Sequence, residues 1–432
     1  MKNLITQHHS RIKALPAIIF LLFLIISCNN SDNTKAKEKS NSFVIVGARV
    51  FDGEQTINET NIVVRDGIID SIGPSLKADD LPQIDGKGFT VIPGLINAHA
   101  HTESIDQLNE SLRFGVTTVL DMGTFPEYDK SLRVAAELRN DVADFRSSGI
   151  FITPEGGHGT QYGHTIPTIG NANEAASFIN ERIELGADYL KIVLGGVRHQ
   201  NYGTPTLDSA TVYALVKAGH EHGKLVVAHI ESADDVKLAV DAGVDGLVHQ
   251  WRDSGANPDL AQLLASNNVF VNAGDIAVID GFLNDGPQQL LQDELISPYL
   301  TDFSRQELKK PIKTPDGASI HRVMDGLRSL IEADVLLVAG TDAFTRNPRI
   351  VHGASFHRLL ELFVVAGLPP EKALQISTSN VADAFRLNDR GRIKPGFIAD
   401  LVMIQGDPTR DIKDTRKISK IWRRGIEVNR MP

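Results

Sequence analysis

From residue 43 onward the spacing of hydrophobic positions follows two patterns. Short apolar runs, Phe43-Val44-Ile45-Val46, Asn61-Ile62-Val63-Val64 and Gly67-Ile68-Ile69-Asp70-Ser71-Ile72, read as β-strands, and Asp52-Gly53 and Asp66-Gly67 supply hairpin turns. The same texture returns in Ala399-Asp400-Leu401-Val402-Met403-Ile404 and Ile418-Ser419-Lys420-Ile421-Trp422. Between these flanks, apolar strands alternate with amphipathic helices. The strands are expected at 94–98, 116–121, 149–152, 189–193, 225–228, 246–248, 269–272 and 335–339. Three of them follow a helix end that closes on a small residue and an aspartate: Gly186-Ala187-Asp188, Gly243-Val244-Asp245 and Glu332-Ala333-Asp334. Glycine there supplies a left-handed helix cap. A nearly continuous apolar run suits a strand covered on both faces. Eight such strands with intervening helices predict an α/β fold, a (β/α)₈ TIM barrel over 93–385. The flanks predict a small β-sandwich built from both ends, 43–92 and 386–432. The segment 275–315 reads as a partly helical insertion between strands seven and eight.

The N-terminus has a different pattern. Lys2, Arg11 and Lys13 precede an apolar stretch over 15–26. A helix there would rise roughly 18 Å at ~1.5 Å per residue, short of the ~30 Å hydrocarbon core of a bilayer. The profile is that of a signal peptide over 1–27. Ser27 before Cys28 resembles the lipobox of bacterial lipoproteins, which implies acylation of Cys28. Residues 28–42 form a polar tether that cannot bury enough surface to fold. The expectation is a protein of the bacterial cell envelope, lipid-anchored at the outer membrane or periplasmic face.

Composition narrows the chemistry. Lys and Arg number 44 against 54 Asp and Glu, a net charge of −10, and no basic block exists. That balance argues against nucleic-acid binding. A single cysteine excludes an intramolecular disulfide and any Cys-based zinc finger. The information lies in the histidines. His99 and His101 are two residues apart on the first strand, which puts both imidazoles on one face. Lys191 lies on strand four, His229 ends strand five, His249 strand six and Asp342 strand eight. Residues at the C-terminal ends of barrel strands face the active site. A lysine flanked by Leu190, Ile192 and Val193 is costly to bury unless neutralised or modified.

Val91-Ile92-Pro93-Gly94-Leu95-Ile96-Asn97-Ala98-His99-Ala100-His101, Asp188-Tyr189-Leu190-Lys191-Ile192, His229, Gly246-Leu247-Val248-His249, Ala339-Gly340-Thr341-Asp342 and the segment from Gly391 to Leu401 form an ordered set. It resembles the amidohydrolase superfamily, nearest to its imidazolonepropionase-like and membrane-associated prolidase branch. The resemblance implies a metal-dependent hydrolase with two divalent ions. His99, His101 and Asp342 would hold one, His229 and His249 the other, and Lys191, carboxylated by carbon dioxide, would bridge them. Such ligands suit Zn²⁺ best, with Mn²⁺, Co²⁺ or Fe²⁺ as substitutes. A metal-activated water would attack an amide carbon, with Asp342 carrying the proton to the leaving nitrogen. One-metal deaminases of the superfamily resemble the chain at His99, His101, His229 and Asp342 but have no use for the strand-four lysine.

Substrate contacts are expected from two rim segments. The loop from Glu155 to His164 offers His158 and His164 among glycines that allow close backbone approach. After strand four, Arg198, His199 and Tyr202 form a polar group in which Arg198 could clamp a carboxylate. His352 and His357 are expected to pack or cap, and Glu231 to form a salt bridge. The resulting expectation is hydrolysis of a small molecule, a dipeptide of the Xaa-Pro type or an N-acyl amino acid. Two alternatives stand beside it: a cyclic amide, lactone or imidazolone hydrolase, and an envelope solute-binding protein with a structural metal. The membrane is expected as a partner through the anchor, and self-association into a homo-oligomer is compatible with such a chain.

Overall fold

Asp66 and Gly67 both take left-handed backbone angles, φ +49° and +77°. That geometry closes a two-residue hairpin with the strand twist sheets require, joining β2 (Thr56–Arg65) to β3 (Ile68–Gly73). The computed structural model describes residues 40–195, 204–313, 318–345 and 349–432; Cys28, Arg198, His199 and Tyr202 lie outside them. β1 (Phe43–Phe51) pairs antiparallel with β2 and parallel with both β4 (Gln83–Asp85) and β5 (Phe89–Pro93). Among the described residues no helix is long and apolar enough to cross a membrane.

Eight parallel staves follow. β6 (Leu95–Ala100), β7 (Val116–Asp121) and β8 (Asp144–Ser147) form one ladder. β9 (Leu190–Val193), β10 (Val226–His229), β11 (Gly246–Leu247), β12 (Phe270–Asn272) and β13 (Leu337–Val338) form the other. Two seams join them into a closed barrel. At the first, Ile152 N–H donates to Lys191 O at 2.8 Å and Val193 N–H to Ile152 O at 2.9 Å. At the second, Ala98 N–H donates to Ala339 O at 2.7 Å and His101 N–H to Ala343 O at 2.9 Å. The (β/α)₈ architecture expected from the sequence is therefore formed.

The third stave corrects its expected position. Asp144–Ser147, not 149–152, carries the ladder, and only Ile152 of the expected run rejoins it. Gly149, at φ +61°, turns the chain out of the wall. Ile150 and Phe151 then pack with Phe125, Ile166 and Val193. Asp144-Phe145-Arg146-Ser147 hides as a strand because its polar groups find partners inside the fold. Asp144 accepts from Arg390, and Ser147 N–H donates to Asp188 Oδ2 at 2.9 Å.

Inside the barrel, Ile96, Ala98, Leu120, Met122, Val227, Val248 and Val338 form a packed floor. Phe385 closes it from below, with its ring 5.1 Å from both Tyr189 and Phe270. The insertion after β12 carries helices Asp275–Leu283, Gly286–Gln292 and Asp302–Lys309, as its composition suggested. It is tied down where Ser304 Oγ donates to the buried Glu110 at 2.8 Å.

After the barrel, β14 (Leu401–Gln405) lies antiparallel to β5, followed by β15 (Ile418–Arg423) and β16 (Ile426–Glu427). Strands from both ends thus share one sheet, ordered β16-β15-β14-β5-β1-β2-β3. The sheet curls over a common core of Ile45, Val50, Ile62, Val64, Val91, Leu401 and Met403, with Phe43 stacked on Trp422 at 5.1 Å. This is the flanking β-module built from both ends, in one continuous sheet. Apolar side chains such as Val402, Ile404 and Ile421 join it to the barrel core, and one link is ionic: Arg423, fully buried, stands 3.2 Å from Asp144 and 3.0 Å from Asp400. Removing one partner of a buried pair leaves the other charge uncompensated. Asp144→Ala is accordingly expected to destabilise the protein by about 3–5 kcal/mol, read as a lowered midpoint in urea denaturation. An unchanged midpoint would show that this contact does not hold the two parts together.

Candidate metal centre

Strand alternation places His99 and His101 side by side, with ring centroids 5.3 Å apart. Their backward-facing nitrogens are fixed by carbonyls: His99 Nδ1 is 3.0 Å from Val248 O, and His101 Nδ1 is 3.0 Å from Gly123 O. Each Nδ1 therefore donates, and each Nε2 keeps its lone pair. Those two atoms point at one carboxylate oxygen, Asp342 Oδ1, at 3.3 and 3.4 Å. Asp342 adopts φ +55°, a left-handed conformation that is strained for a residue with a Cβ. The strain is held in place by Asp342 N–H donating to His99 O at 2.8 Å and Thr341 N–H donating to Asn97 Oδ1 at 3.0 Å.

The second pair of imidazoles closes the ring. His249 lies 4.9 Å from His99 and 4.4 Å from His229, centroid to centroid. Here carboxylates set the tautomers. His229 Nε2 donates to Glu231 Oε1 at 3.2 Å, and His249 Nδ1 donates to Asp275 Oδ1 at 3.1 Å. His229 is left with Nδ1 as its acceptor atom and His249 with Nε2. Lys191, buried on β9, completes the set; its charge is felt by His99 and His158, and Asp342 and Asp121 attract it.

Electrostatics favours the protonation states a cation site requires at His99, His229 and Asp342. Burial pushes His99 and His229 well below the usual histidine range, and for His99 the nearby Lys191 adds to this. Burial alone would raise the Asp342 carboxyl, but His99, His101 and His249 overcome it and hold it well below normal. Burial pulls Lys191 down to about 8 against the attraction of Asp342 and Asp121. Neutral imidazoles and an ionised carboxylate are metal donors. One atom tests the fit directly. His99 Nε2 is buried and makes no hydrogen bond, a costly state unless something electron-deficient sits before it. Ligand atoms of His99, His249 and Asp342 all lie within 4.8 Å of one another. The residues fit a divalent cation.

The rim divides the expected substrate contacts. His158 is at the site, its ring stacked on His229 at 4.6 Å, and burial lowers it to about 4. His164 is not brought to the imidazoles. It stacks on Phe125 at 3.8 Å and lies 3.7 Å from Glu127, because its glycine-flanked loop turns it toward the apolar cluster beside β8. Sequence reading missed four residues. Phe344 lies 5.1 Å from His101 and Tyr162 5.4 Å from Phe344, forming an aromatic edge to the mouth. Asp275 and Arg252 stand behind His249. Their signal was positional: Asp275 is three residues past β12 and Arg252 three past His249. Glu231 forms the salt bridge expected of it, 3.6 Å from Arg252. His352 and His357 are buried in the core, as expected; His357 bonds Thr415 Oγ1 and Phe114 O, each at 3.0 Å.

A family model described as the Amidohydrolase family matches residues 90–428. An adenine deaminase from Oceanobacillus iheyensis is 22% identical over 400 residues, covering 89% of this chain and 57% of that protein. An imidazolonepropionase from Deinococcus deserti is 34% identical over 105 residues, 23% of this chain and 26% of that one. The chain thus spans about half the length, or less, of the curated relatives it matches. Among solved structures, a Xaa-Pro dipeptidase with bound methionine superposes with a TM-score of 0.72 at 22% identity, over 90% of this chain and all of that one. An ochratoxinase from A. niger does so at 0.69 and 17% identity, over 90% and 96%. Likeness at these identities shows a common fold.

The lowered histidines set a pH dependence. His158 at about 4 and His357 at about 3 bind protons more weakly folded than at the ~6.5 of a free histidine. Their stabilising contribution is complete above about pH 6.5 and is lost as pH falls toward the folded values. Thermal melts of chelator-treated protein should therefore show a midpoint that drops between about pH 6.5 and 4, with a shallower drop in His357→Gln. Equal slopes in the two proteins would contradict this.

Proposed function

The chain belongs to the amidohydrolase family, and we propose from that premise that it hydrolyses a carbon–nitrogen amide bond, in a dipeptide of the Xaa-Pro type or an N-acyl amino acid. The observation that carries the reading is the single carboxylate, Asp342, held against two imidazoles, one fully buried and one half-buried, whose facing nitrogens are lone pairs. His99, His101 and Asp342 would hold one divalent ion, and His229 and His249 a second, with zinc best suited to such donors. Two bound cations supply an acidified water and a polarised carbonyl.

The chain's own groups do the rest. Asp342 is ionised and so can accept the proton of the attacking water; passing it to the amide nitrogen as the C–N bond breaks yields a neutral amine. Lys191, drawn down to about 8, has a larger share of neutral amine near physiological pH than an ordinary lysine, and that is the form that adds to carbon dioxide with loss of one proton to give a carbamate. A carbamate has two oxygens and can bridge two cations where an ammonium cannot bind one. His158, stacked on His229, and the Tyr162–Phe344 edge stand where the acyl side of a substrate would lie. A second reading, deamination of a purine-like amidine, is favoured by the adenine deaminase match along 89% of the chain. It uses the same donors and releases ammonia instead of an amino acid. The envelope anchor completes the reading: acylated Cys28 would keep the hydrolase at the membrane.

Four measurements check these statements. A panel of dipeptides, N-acyl amino acids, cyclic amides and aminopurines, scored for amino acid and for ammonia, should give amino acid; ammonia alone would select the second reading. Lys191→Ala should lose most of about two bound metal ions, and unchanged metal content would remove the bridging role. Asp342→Asn should keep the fold and lower kcat by about 10²–10⁴, so near-normal turnover would exclude it as the proton carrier. Cys28→Ser should move the protein from the membrane to the soluble fraction; persistence at the membrane would refute the anchor.

A further inference from the structure

The two carboxylates behind the second pair of imidazoles share one cation. Arg252 N–H donates to Glu231 O at 3.0 Å, so the loops after β10 and β11 are joined through backbone before any side chain is considered. From there the guanidinium reaches in two directions. Its Nη1 lies 3.6 Å from Glu231 Oε1, the oxygen that receives the His229 proton. Its Nε donates to Asp275 Oδ1 at 2.9 Å, and Nη2 donates to the same oxygen, which also receives the His249 proton. The other Asp275 oxygen is taken by Gln250 N–H at 2.6 Å, so this carboxylate cannot turn. Nη2 also stands 3.3 Å from His249 Nδ1. That nitrogen cannot both accept from Arg252 and donate to Asp275, and the charge-assisted contacts to the carboxylate prevail.

We propose that Arg252 is a positioning residue that locks His229 and His249 into one unit, aiming Nδ1 of the first and Nε2 of the second at a shared divalent cation. The inference rests on the metal reading above and adds to it a single residue that governs one ion and not the other. Without the guanidinium, Glu231 and Asp275 would be two unpaired buried carboxylates in a mouth that already holds Asp342. Glu231 would be free to leave His229, and Asp275, held only through its other oxygen by Gln250 N–H, would lose the guanidinium that fixes the oxygen facing His249, so the two imidazoles would no longer be held as one unit. His99 and His101 are immune, because carbonyls fix them. A lysine could neutralise the charge but not reach both acids, since it lacks the planar fork.

The test is titration of Co²⁺ into chelator-treated full-length protein, followed by calorimetry and by the d–d absorption of the bound ion. Wild type should take up about two equivalents. In Arg252→Met one equivalent should weaken by about 10- to 100-fold with an altered d–d band, while the other keeps its affinity; Arg252→Lys should recover part of the loss. A folded Arg252→Met that binds both equivalents as wild type does, or that weakens both equally, overturns the proposal. Where Arg252→Met does not fold, Arg252→Lys is judged by the same criterion. Wild-type protein that binds no Co²⁺ would defeat the metal reading itself, an outcome distinct from a failure of Arg252.

Discussion

One seam of backbone hydrogen bonds both closes the barrel and builds the centre. Where β13 returns to β6, Ala98 N–H meets Ala339 O, Asp342 N–H meets His99 O and His101 N–H meets Ala343 O, at 2.7, 2.8 and 2.9 Å. The side chains on those same residues are two of the imidazoles and the carboxylate between them. The first and last staves are more than two hundred residues apart in the chain, so only closure can bring them together. The left-handed backbone of Asp342 is tolerated because the seam leaves it no alternative. A conformation that costs about 1–3 kcal/mol in isolation thereby becomes a fixed aim for the carboxylate.

Around that seam, every imidazole has one nitrogen assigned to the protein and one turned inward. The assigning partner differs by position: carbonyls of Val248 and Gly123 for the first pair, carboxylates of Glu231 and Asp275 for the second. A carbonyl is neutral and indifferent to its surroundings, whereas a buried carboxylate demands a countercharge. This explains why the guanidinium of Arg252 stands against the carboxylates of the second pair, whereas the carbonyls of the first pair need no countercharge. The centre is therefore asymmetric in its electrostatics although its ligands are similar in kind.

Much of this was legible in the sequence, for a physical reason. Parallel staves are buried on both faces, so Val116–Asp121 and Phe270–Asn272 announce themselves as apolar runs, and the residue at each C-terminal end is then placed by topology alone. Legibility failed where polar groups are satisfied by distant partners. Asp144 and Ser147 belong to a stave but pair with Arg390 and Asp188 far along the chain. Asp275 was assigned to an insertion, although it begins a helix directly beneath His249. Tyr162 and Phe344 meet only because two loops from opposite seams converge, a contact no local pattern encodes. His164 failed in the opposite sense: its loop looked like rim, and its ring sank onto Phe125.

The aromatic stopper at the base of the barrel has a kinetic consequence. With Phe385 wedged against Tyr189 and Phe270, and the floor above it filled by aliphatic side chains, the described residues pack the lower half of the barrel between the metal centre and the base. A molecule that reaches the centre from the C-terminal mouth and leaves by it passes the Tyr162–Phe344 lintel twice. Where departing fragments and incoming molecules share that passage, how quickly the used pieces clear the threshold weighs on turnover beside how quickly the bond is cut.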